Sequence, residues 1–162
     1  MTNTSTTAAT DATGTGTVNG TATASTTIGT TASRTDKPCP FCTLPAARVV
    51  QENDHAILIL DGYPVSPGHT LIIPKRHTGS FFEATDAERA ALLALLDKAK
   101  ELVEETHRPD GYNIGINDGA AAGQTVPHLH IHLIPRYAGD QDDPRGGVRW
   151  VIPDKANYWS QR

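Results

Sequence analysis

The chain has 162 residues, which is enough for one domain of ordinary size and too few for two comfortable ones. Its formal charge of -4 provides no basic surface for nucleic acid or for a membrane, so neither is an expected partner. No apolar run approaches the ~20 residues of a membrane span, and the first residues lack the apolar stretch of a secretory signal, so we expect a cytoplasmic protein.

The first 36 residues differ in composition from all that follows. They hold fifteen threonines, six alanines and four glycines, and only three of them are charged. Such a segment cannot bury enough apolar surface to fold, which predicts a disordered tail over residues 1–36. A transit peptide is the alternative, although the tail has one arginine where a mitochondrial presequence has several. We therefore expect the folded domain over 37–138 and a C-terminal extension over 139–162.

The two cysteines of the chain, Cys39 and Cys42, form a Cys-x-x-Cys motif just after the tail. At this spacing they cannot join distant parts of the chain, so they are typical of a metal site or of a redox pair. A thioredoxin-like redox pair is expected beside a βαβ unit, and the pattern here contains none.

Three short aliphatic runs precede any helical pattern. The runs over 48–52 and 56–60 are separated by Asn-Asp-His, which is typical of a hairpin, and a third run, His69 to Pro74, follows a Pro-Gly turn. The sequence therefore predicts three consecutive strands.

A single long helix follows these strands. Thr85 and Glu88 have the spacing of a capping box, and apolar residues then recur three and four positions apart as far as Thr106. Pro109 and Gly111 end the pattern. The capping box and the periodicity predict one amphipathic helix.

Two more strands are predicted after the helix, over 112–117 and 128–135, joined by a loop of small residues. The order β-β-β-α-β-β indicates an α+β domain, an antiparallel sheet of about five strands packed by one long helix. Residues Val148 to Ile152 are a candidate sixth strand.

Three histidines alternate with apolar residues in the last of these strands, at His128, His130 and His132. Alternation predicts that Leu129, Ile131 and Leu133 enter the core while the imidazoles line the other face at intervals of about 7 Å. A merely solvated strand face is the simplest explanation, but threonine, lysine or glutamate would serve it better. The alternatives are a catalytic metal held by imidazoles and a histidine nucleophile that attacks phosphorus.

The loop before this strand favours phosphate chemistry. Residues 119–125 are small and polar and can offer backbone N–H groups and a hydroxyl to an anion, and Asn117 can add an amide donor. No acidic residue lies within the His128–His132 segment to complete a hydrolytic metal centre.

The pattern from His128 to Ile134 resembles the histidine triad (HIT) superfamily of nucleotide hydrolases and transferases. The resemblance covers about residues 39–138, including Pro67 to His77, Asn117 to Gly119 and Gly123 to Val126. It implies a HIT-like fold, a homodimer, and cleavage at an α-phosphate through a covalent nucleotidyl-histidine.

The resemblance also implies a role for individual residues. His130 corresponds to the nucleophile, His132 to the residue that contacts phosphate and supports the leaving group, and Asp61 to the position that binds ribose hydroxyls. The phosphate cradle corresponds to Asn117, Gly123, Gln124, Thr125 and Val126. Zinc-bearing members add two histidines to the cysteines, which implies the closed, structural Zn²⁺ site Cys39, Cys42, His77 and His128.

The segment Leu133 to Arg136 resembles the dinucleoside polyphosphate branch, so we expect a hydrolase of such substrates, with Mg²⁺ as an additional counter-ion for the polyphosphate. The alternatives are a nucleoside phosphoramidase, a phosphorylase or nucleotidyltransferase, a three-histidine metallohydrolase, and a non-catalytic zinc-stabilised nucleotide-binding module.

Several other polar residues have simpler expected roles. We predict structural roles for the remaining histidines, His55, His69 and His107, and a solvated position for Arg76. Residues Arg145, Arg149 and Trp150 could clamp a polyphosphate and stack on a second base, or instead form edge packing or a dimer contact.

Overall fold

A computed structural model describes residues 38–159 of the chain. The predicted tail and the start of the predicted domain therefore lie outside the described residues. Among the helices that are described, none is both long and apolar enough to cross a bilayer.

The five predicted strands form one antiparallel sheet in the order β1-β2-β3-β5-β4. The strands are β1 (Val49–Glu52), β2 (Ala56–Leu60), β3 (Thr70–Pro74), β4 (Gly111–Gly115) and β5 (Ile131–Arg136). His132 in β5 pairs with Leu71 on one side and with Gly115 on the other. This register sets the third histidine of the motif between two neighbouring strands.

The long helix α1 (Asp86–His107) covers one face of the sheet. Its capping box is confirmed, since Thr85 accepts from the Glu88 backbone and the Glu88 side chain returns to the Thr85 backbone. Buried residues of α1 such as Leu92 and Leu95 pack with Leu129, Ile131 and Leu133 in the main core. Each such leucine contributes about 2 kcal/mol through its buried area.

Arg76 is not simply solvated. Its guanidinium donates to both carboxylate oxygens of Glu88, at 2.6 and 2.8 Å, and these hydrogen bonds hold the pKa of that carboxyl at about 2. Arg76 therefore anchors the start of the helix to the segment that follows β3.

The triad strand begins later than predicted, at Ile131 instead of His128. Beyond Ile72 its partner β3 reaches Pro74, which has no N–H to donate to a ladder. The backbone before Ile131 bonds elsewhere instead, with Leu129 N donating to Thr78 O at 2.7 Å. The predicted alternation still holds, because Leu129, Ile131 and Leu133 lie in the helix-facing core.

The predicted sixth strand over residues 148–152 is wrong. Residues Gly147–Val151 form a 3₁₀ helix, followed by the short α2 (Pro153–Ala156). Gly146 and Gly147 adopt φ values of 89° and 45°, which lie outside the strand region, and Pro153 suits a first helical position. The C-terminal extension therefore folds as helical turns.

Candidate functional site

The candidate site lies on the sheet face opposite α1. Ile59, Leu71 and Ile73 form a second, smaller core on this face, and Phe41 packs against it. Because side chains alternate along a strand, residues 61 and 69 at the strand ends belong to this face as well. The face thus gathers side chains from β2, β3 and the triad segment.

The hydrogen bonding of His130 leaves one of its ring nitrogens available to react. The residue is 7% exposed, and its Nδ1 lies 2.8 Å from the backbone oxygen of His128. A carbonyl only accepts, so Nδ1 carries the proton and Nε2 keeps its lone pair. The Phe41 ring packs edge-on against the imidazole at 5.2 Å between centroids.

His132, His69 and Asp61 form a chain of polar contacts beside His130. His69 Nε2 lies 3.0 Å from His132 Nδ1, and His69 Nδ1 lies 3.3 Å from Asp61 Oδ2. The Val65 backbone N–H also donates to His69 Nδ1 at 3.3 Å. The outer nitrogen of the chain, His132 Nε2, is buried without a hydrogen-bond partner.

Burial is the main cause of the pKa shifts of the two histidines in this row of contacts. Burial first, and then the neighbouring His130 and His69, together lower the pKa of His132 to about 4. Burial also lowers the pKa of His69, while Asp61 opposes that shift. Both imidazoles are therefore neutral at pH 7 and can exchange a proton through either tautomer.

The hydrogen-bonded row Asp61–His69–His132 has two tautomeric forms, and these give His132 Nε2 opposite roles. If Asp61 accepts the Nδ1 proton of His69, His132 Nε2 is an acceptor. If His69 Nδ1 accepts the Val65 N–H, His69 donates to His132 and His132 Nε2 carries a proton. His132 Nε2 can thus donate a hydrogen bond in one tautomer, and accept a hydrogen bond or a proton in the other.

A second cluster on the other side of His130 contains the two cysteines. The donor atoms of Cys39, Cys42, His77 and His128 all lie within 4.8 Å of one another. Cys42 Sγ is 3.2 Å from His77 Nδ1, and Cys39 Sγ is 3.4 Å from His128 Nδ1. Ligands of a tetrahedral zinc ion stand about 3.5 Å apart, so these four side chains fit such an ion.

The orientation of His128 supports the same fit. Its Nε2 lies 2.9 Å from the backbone oxygen of Pro74, an acceptor, so the proton is on Nε2 and Nδ1 offers its lone pair toward the sulfurs. A histidine that ligates a metal commonly has its other nitrogen fixed in this way.

The residues of the predicted phosphate cradle differ in their surroundings. Asn117 lines a cavity of about 320 Å³ together with His69 and His132. The Gln124 amide is engaged within the protein, because it donates to Gly79 O and accepts from Gly119 N, at 2.8 and 2.9 Å. Gly123 has φ 85° at the end of a 3₁₀ turn. Thr125 is exposed and Val126 is half-buried.

Two residues of this face were not predicted as part of the site. His69 was expected to be structural, yet it connects Asp61 to His132. The sequence did contain a signal for this position. Side chains of a strand alternate between the two faces of the sheet, so residue 69 points to the same face as Leu71 and Ile73. Phe41 was considered only as part of the cysteine motif, although its ring contacts both His128 and His130, at 5.8 and 5.2 Å.

Comparisons with known proteins agree with this fold. A family model described as the HIT domain matches residues 45–139. An uncharacterized HIT-like protein of Mycoplasma genitalium is 41% identical over 108 residues, which cover 64% of this chain and 76% of that protein.

Two further relatives have names that mention an enzymatic activity or a bound metal. The AP-4-A phosphorylase of Mycobacterium tuberculosis is 38% identical over 93 residues, 57% of this chain, which spans 48% of that protein. The crystal structure of a zinc-bound histidine triad family protein from Mycobacterium smegmatis aligns with a TM-score of 0.58 and 39% identity, covering 64% of this chain and 78% of that one.

Proposed function

The chain belongs to the HIT family, and we propose that it is a hydrolase of dinucleoside polyphosphates that cleaves at the α-phosphate through a nucleotidyl-His130 intermediate. The observation that carries this proposal is the hydrogen bond from His130 Nδ1 to the His128 carbonyl, which leaves Nε2 as the nucleophile. The name of the M. tuberculosis relative supports the substrate class.

In the first half-reaction His130 Nε2 attacks the α-phosphorus, a P–N bond forms, and the P–O bond to the leaving nucleotide breaks. The departing oxygen belongs to a phosphate and leaves as an anion, and His132 Nε2 would donate a hydrogen bond to it in the tautomer where that nitrogen carries the proton. That nitrogen is buried and unpartnered, and the His132 side chain to which it belongs lines the cavity. In the second half, water attacks phosphorus while His132 Nε2 accepts its proton, and the P–N bond breaks to release a nucleoside monophosphate.

We assign substrate binding to residues around this centre. Asp61 is half-buried at the end of β2 and would accept hydrogen bonds from ribose hydroxyls. Asn117 would donate to phosphate from the cavity wall, and Gly123, Thr125 and Val126 would offer backbone N–H groups or a hydroxyl. Because its amide joins Gly119 of the loop to Gly79 in the segment before α1, Gln124 is proposed to shape the cradle.

Zinc is proposed as a structural ion on Cys39, Cys42, His77 and His128. With all four coordination positions filled by protein ligands, the ion would fix the cysteine segment against the triad segment and would leave no position for substrate. A zinc-bound relative with the same fold supports this assignment. Mg²⁺ enters the proposal only as a counter-ion of the polyphosphate substrate.

Two further expectations extend the proposal. The family resemblance implies a homodimer, and β4 is an edge strand of the sheet with a half-exposed Ile114. We also propose that residues 1–34 are dispensable for catalysis in a cytoplasmic enzyme. Light scattering and a truncated chain that begins at residue 35 test these two points.

The covalent intermediate provides the decisive experiment. Diadenosine tetraphosphate labelled at the α-phosphates is mixed with wild type and with His130→Ala, and the reaction is stopped in alkali, in which a P–N bond persists. We expect labelled protein and turnover for wild type only. His55→Ala removes an exposed histidine away from the site and serves as the matched control. Absence of both adduct and turnover in wild type would leave the nucleotide-binding module as the function.

One alternative acceptor deserves a separate test because a relative is named a phosphorylase. If inorganic phosphate replaces water in the second half-reaction, the product is a nucleoside diphosphate instead of a monophosphate. Chromatography of the products at increasing phosphate concentration distinguishes the two.

A further inference from the structure

A second, larger cavity lies beside the one that contains His132. Its volume is about 720 Å³, within the usual range for small-molecule sites. The two cavities share wall residues, namely Val65, Asn113, Ile134 and Gly147. A molecule that passes over His132 can therefore continue into this space.

Two indoles from the C-terminal extension, Trp150 and Trp159, line the larger cavity. Gly146 lies against both, because a Cβ there would be 3.0 Å from the Trp159 ring and 3.4 Å from Trp150 Nε1. Trp150 Nε1 donates to the Arg145 carbonyl at 2.8 Å. The turn at Gly146 thus sets the position of both rings.

The guanidinium in the wall of this cavity is already paired. Arg136 donates to both oxygens of Asp140, at 2.6 and 2.7 Å, and to Asn113 at 2.6 Å. These hydrogen bonds hold the pKa of Asp140 at about 2, so the carboxylate stays charged. Asp143, a further wall residue, is paired with Arg145 at 2.8 Å.

The arginines of the extension are also engaged within the protein, as the edge-packing alternative expects. Arg145 stacks over Trp159 at 4.8 Å, and Arg149 stacks over Tyr158 at 4.9 Å while it donates to the Lys155 carbonyl. A cavity with indoles, carboxylates and paired cations suits an uncharged aromatic ligand with hydroxyl or amino donors. A nucleoside has these properties.

We propose that this cavity binds the nucleoside of the leaving group, the second nucleoside of a dinucleoside polyphosphate, by stacking its base on the indoles. The inference rests on the proposed function. Because displacement at phosphorus places the leaving group opposite the attacking nitrogen, a leaving group whose oxygen accepts a hydrogen bond from His132 points away from His130. Its polyphosphate then crosses the smaller cavity, and its nucleoside reaches the larger one.

The test is equilibrium binding to protein that cannot turn over. In the His130→Ala background, calorimetry gives the Kd of diadenosine tetraphosphate and of AMP, with and without Trp150→Ala. Stacking on an aromatic side chain predicts that Trp150→Ala weakens dinucleotide binding about tenfold. AMP binding should stay the same, and Trp150→Phe should keep most of the dinucleotide affinity. Val151→Ala, an exposed neighbour outside the cavity wall, is the control.

The outcomes separate the two proposals. Equal effects of Trp150→Ala on both ligands, or none on either, would overturn the second-nucleoside site. Failure of wild type to turn over any nucleotide would overturn the proposed function. The ratio of the Kd for diadenosine tetraphosphate to the Kd for AMP would still show whether this cavity binds the second nucleoside. In an active wild type, the same substitution should lower kcat/KM for the dinucleotide about tenfold relative to a nucleoside phosphoramidate.

Discussion

Two imidazole clusters flank His130 on one face of the sheet, and the same short segment supplies a histidine to each. His128 meets two sulfurs and His77, with the four donor atoms converging on a point. His132 meets His69 and Asp61, and these are arranged in a line that ends at an unpartnered nitrogen. The partners from neighbouring segments therefore decide whether a histidine of the motif suits a closed metal site or proton transfer.

The largest expected effect comes from opening the cysteine cluster. Cys42→Ser removes one of four ligands, so we expect the zinc content to fall from about one ion per chain toward none. The free energy of unfolding should fall by about 4 kcal/mol, the contribution of a ligand present at a thousand times its Kd. Metal analysis and urea unfolding measure both quantities.

His69→Ala is the matched control for this comparison, since it alters the other cluster and should leave the zinc content unchanged. A wild type that purifies fully folded without metal would contradict the zinc assignment. It would leave Cys39 and Cys42 as a free or redox pair.

The second prediction concerns acid stability and involves the other cluster. The pKa of His132 is about 4 in the folded chain and about 6.5 when unfolded, so between these values the unfolded chain binds more protons. Stability is complete above pH 6.5 and decreases as the pH falls toward 4. The contribution is roughly 3 kcal/mol from this one group.

His132→Gln removes the titrating group and isolates its contribution. Urea unfolding between pH 4 and 7 gives the free energy of unfolding of both proteins. The difference between wild type and variant should shrink as the pH falls. Parallel curves would contradict the low pKa of His132. The subtraction also removes the acid sensitivity of the cysteine cluster, which both proteins share.

The features that were predicted correctly depend on neighbours in sequence. The capping box of Thr85 and Glu88 spans three residues, and the alternation of Leu129, Ile131 and Leu133 is visible within five. The convergence of His77 and His128 on the cysteines spans most of the domain, and only the family resemblance suggested it.

The features that were missed depend on pairing between distant segments. Asp61 N donates to His69 O at 2.9 Å across the β2–β3 turn, which brings the two side chains together, but neither residue shows this by itself. The late start of β5 depends on Pro74 in the neighbouring strand. The strand predicted at residues 148–152 is absent, because positive φ values at Gly146 and Gly147 direct the chain into a helical turn.

A third prediction tests the proton chain without changing its end. His69→Ala leaves His130 and His132 in place but removes the partner of His132 Nδ1, so kcat should fall about 100-fold. KM should change little, and the pH dependence of kcat should shift because His132 Nδ1 has lost its hydrogen-bond partner. Steady-state kinetics from pH 5 to 9 provide the measurement. A loss confined to KM would indicate substrate contact instead of proton transfer.

The smallest expected effect concerns the link between the two clusters. Phe41 comes from the cysteine segment, and its ring packs edge-on against both His128 and His130. Phe41→Leu keeps the apolar bulk and removes the edge-on contact, worth about 1 kcal/mol, which corresponds to a loss of about fivefold in kcat. Leu44→Val, in the same small core, should lower stability and leave kcat unchanged. If Phe41→Leu instead releases zinc at unchanged kcat, the ring belongs to the metal cluster alone, and the clusters are independent.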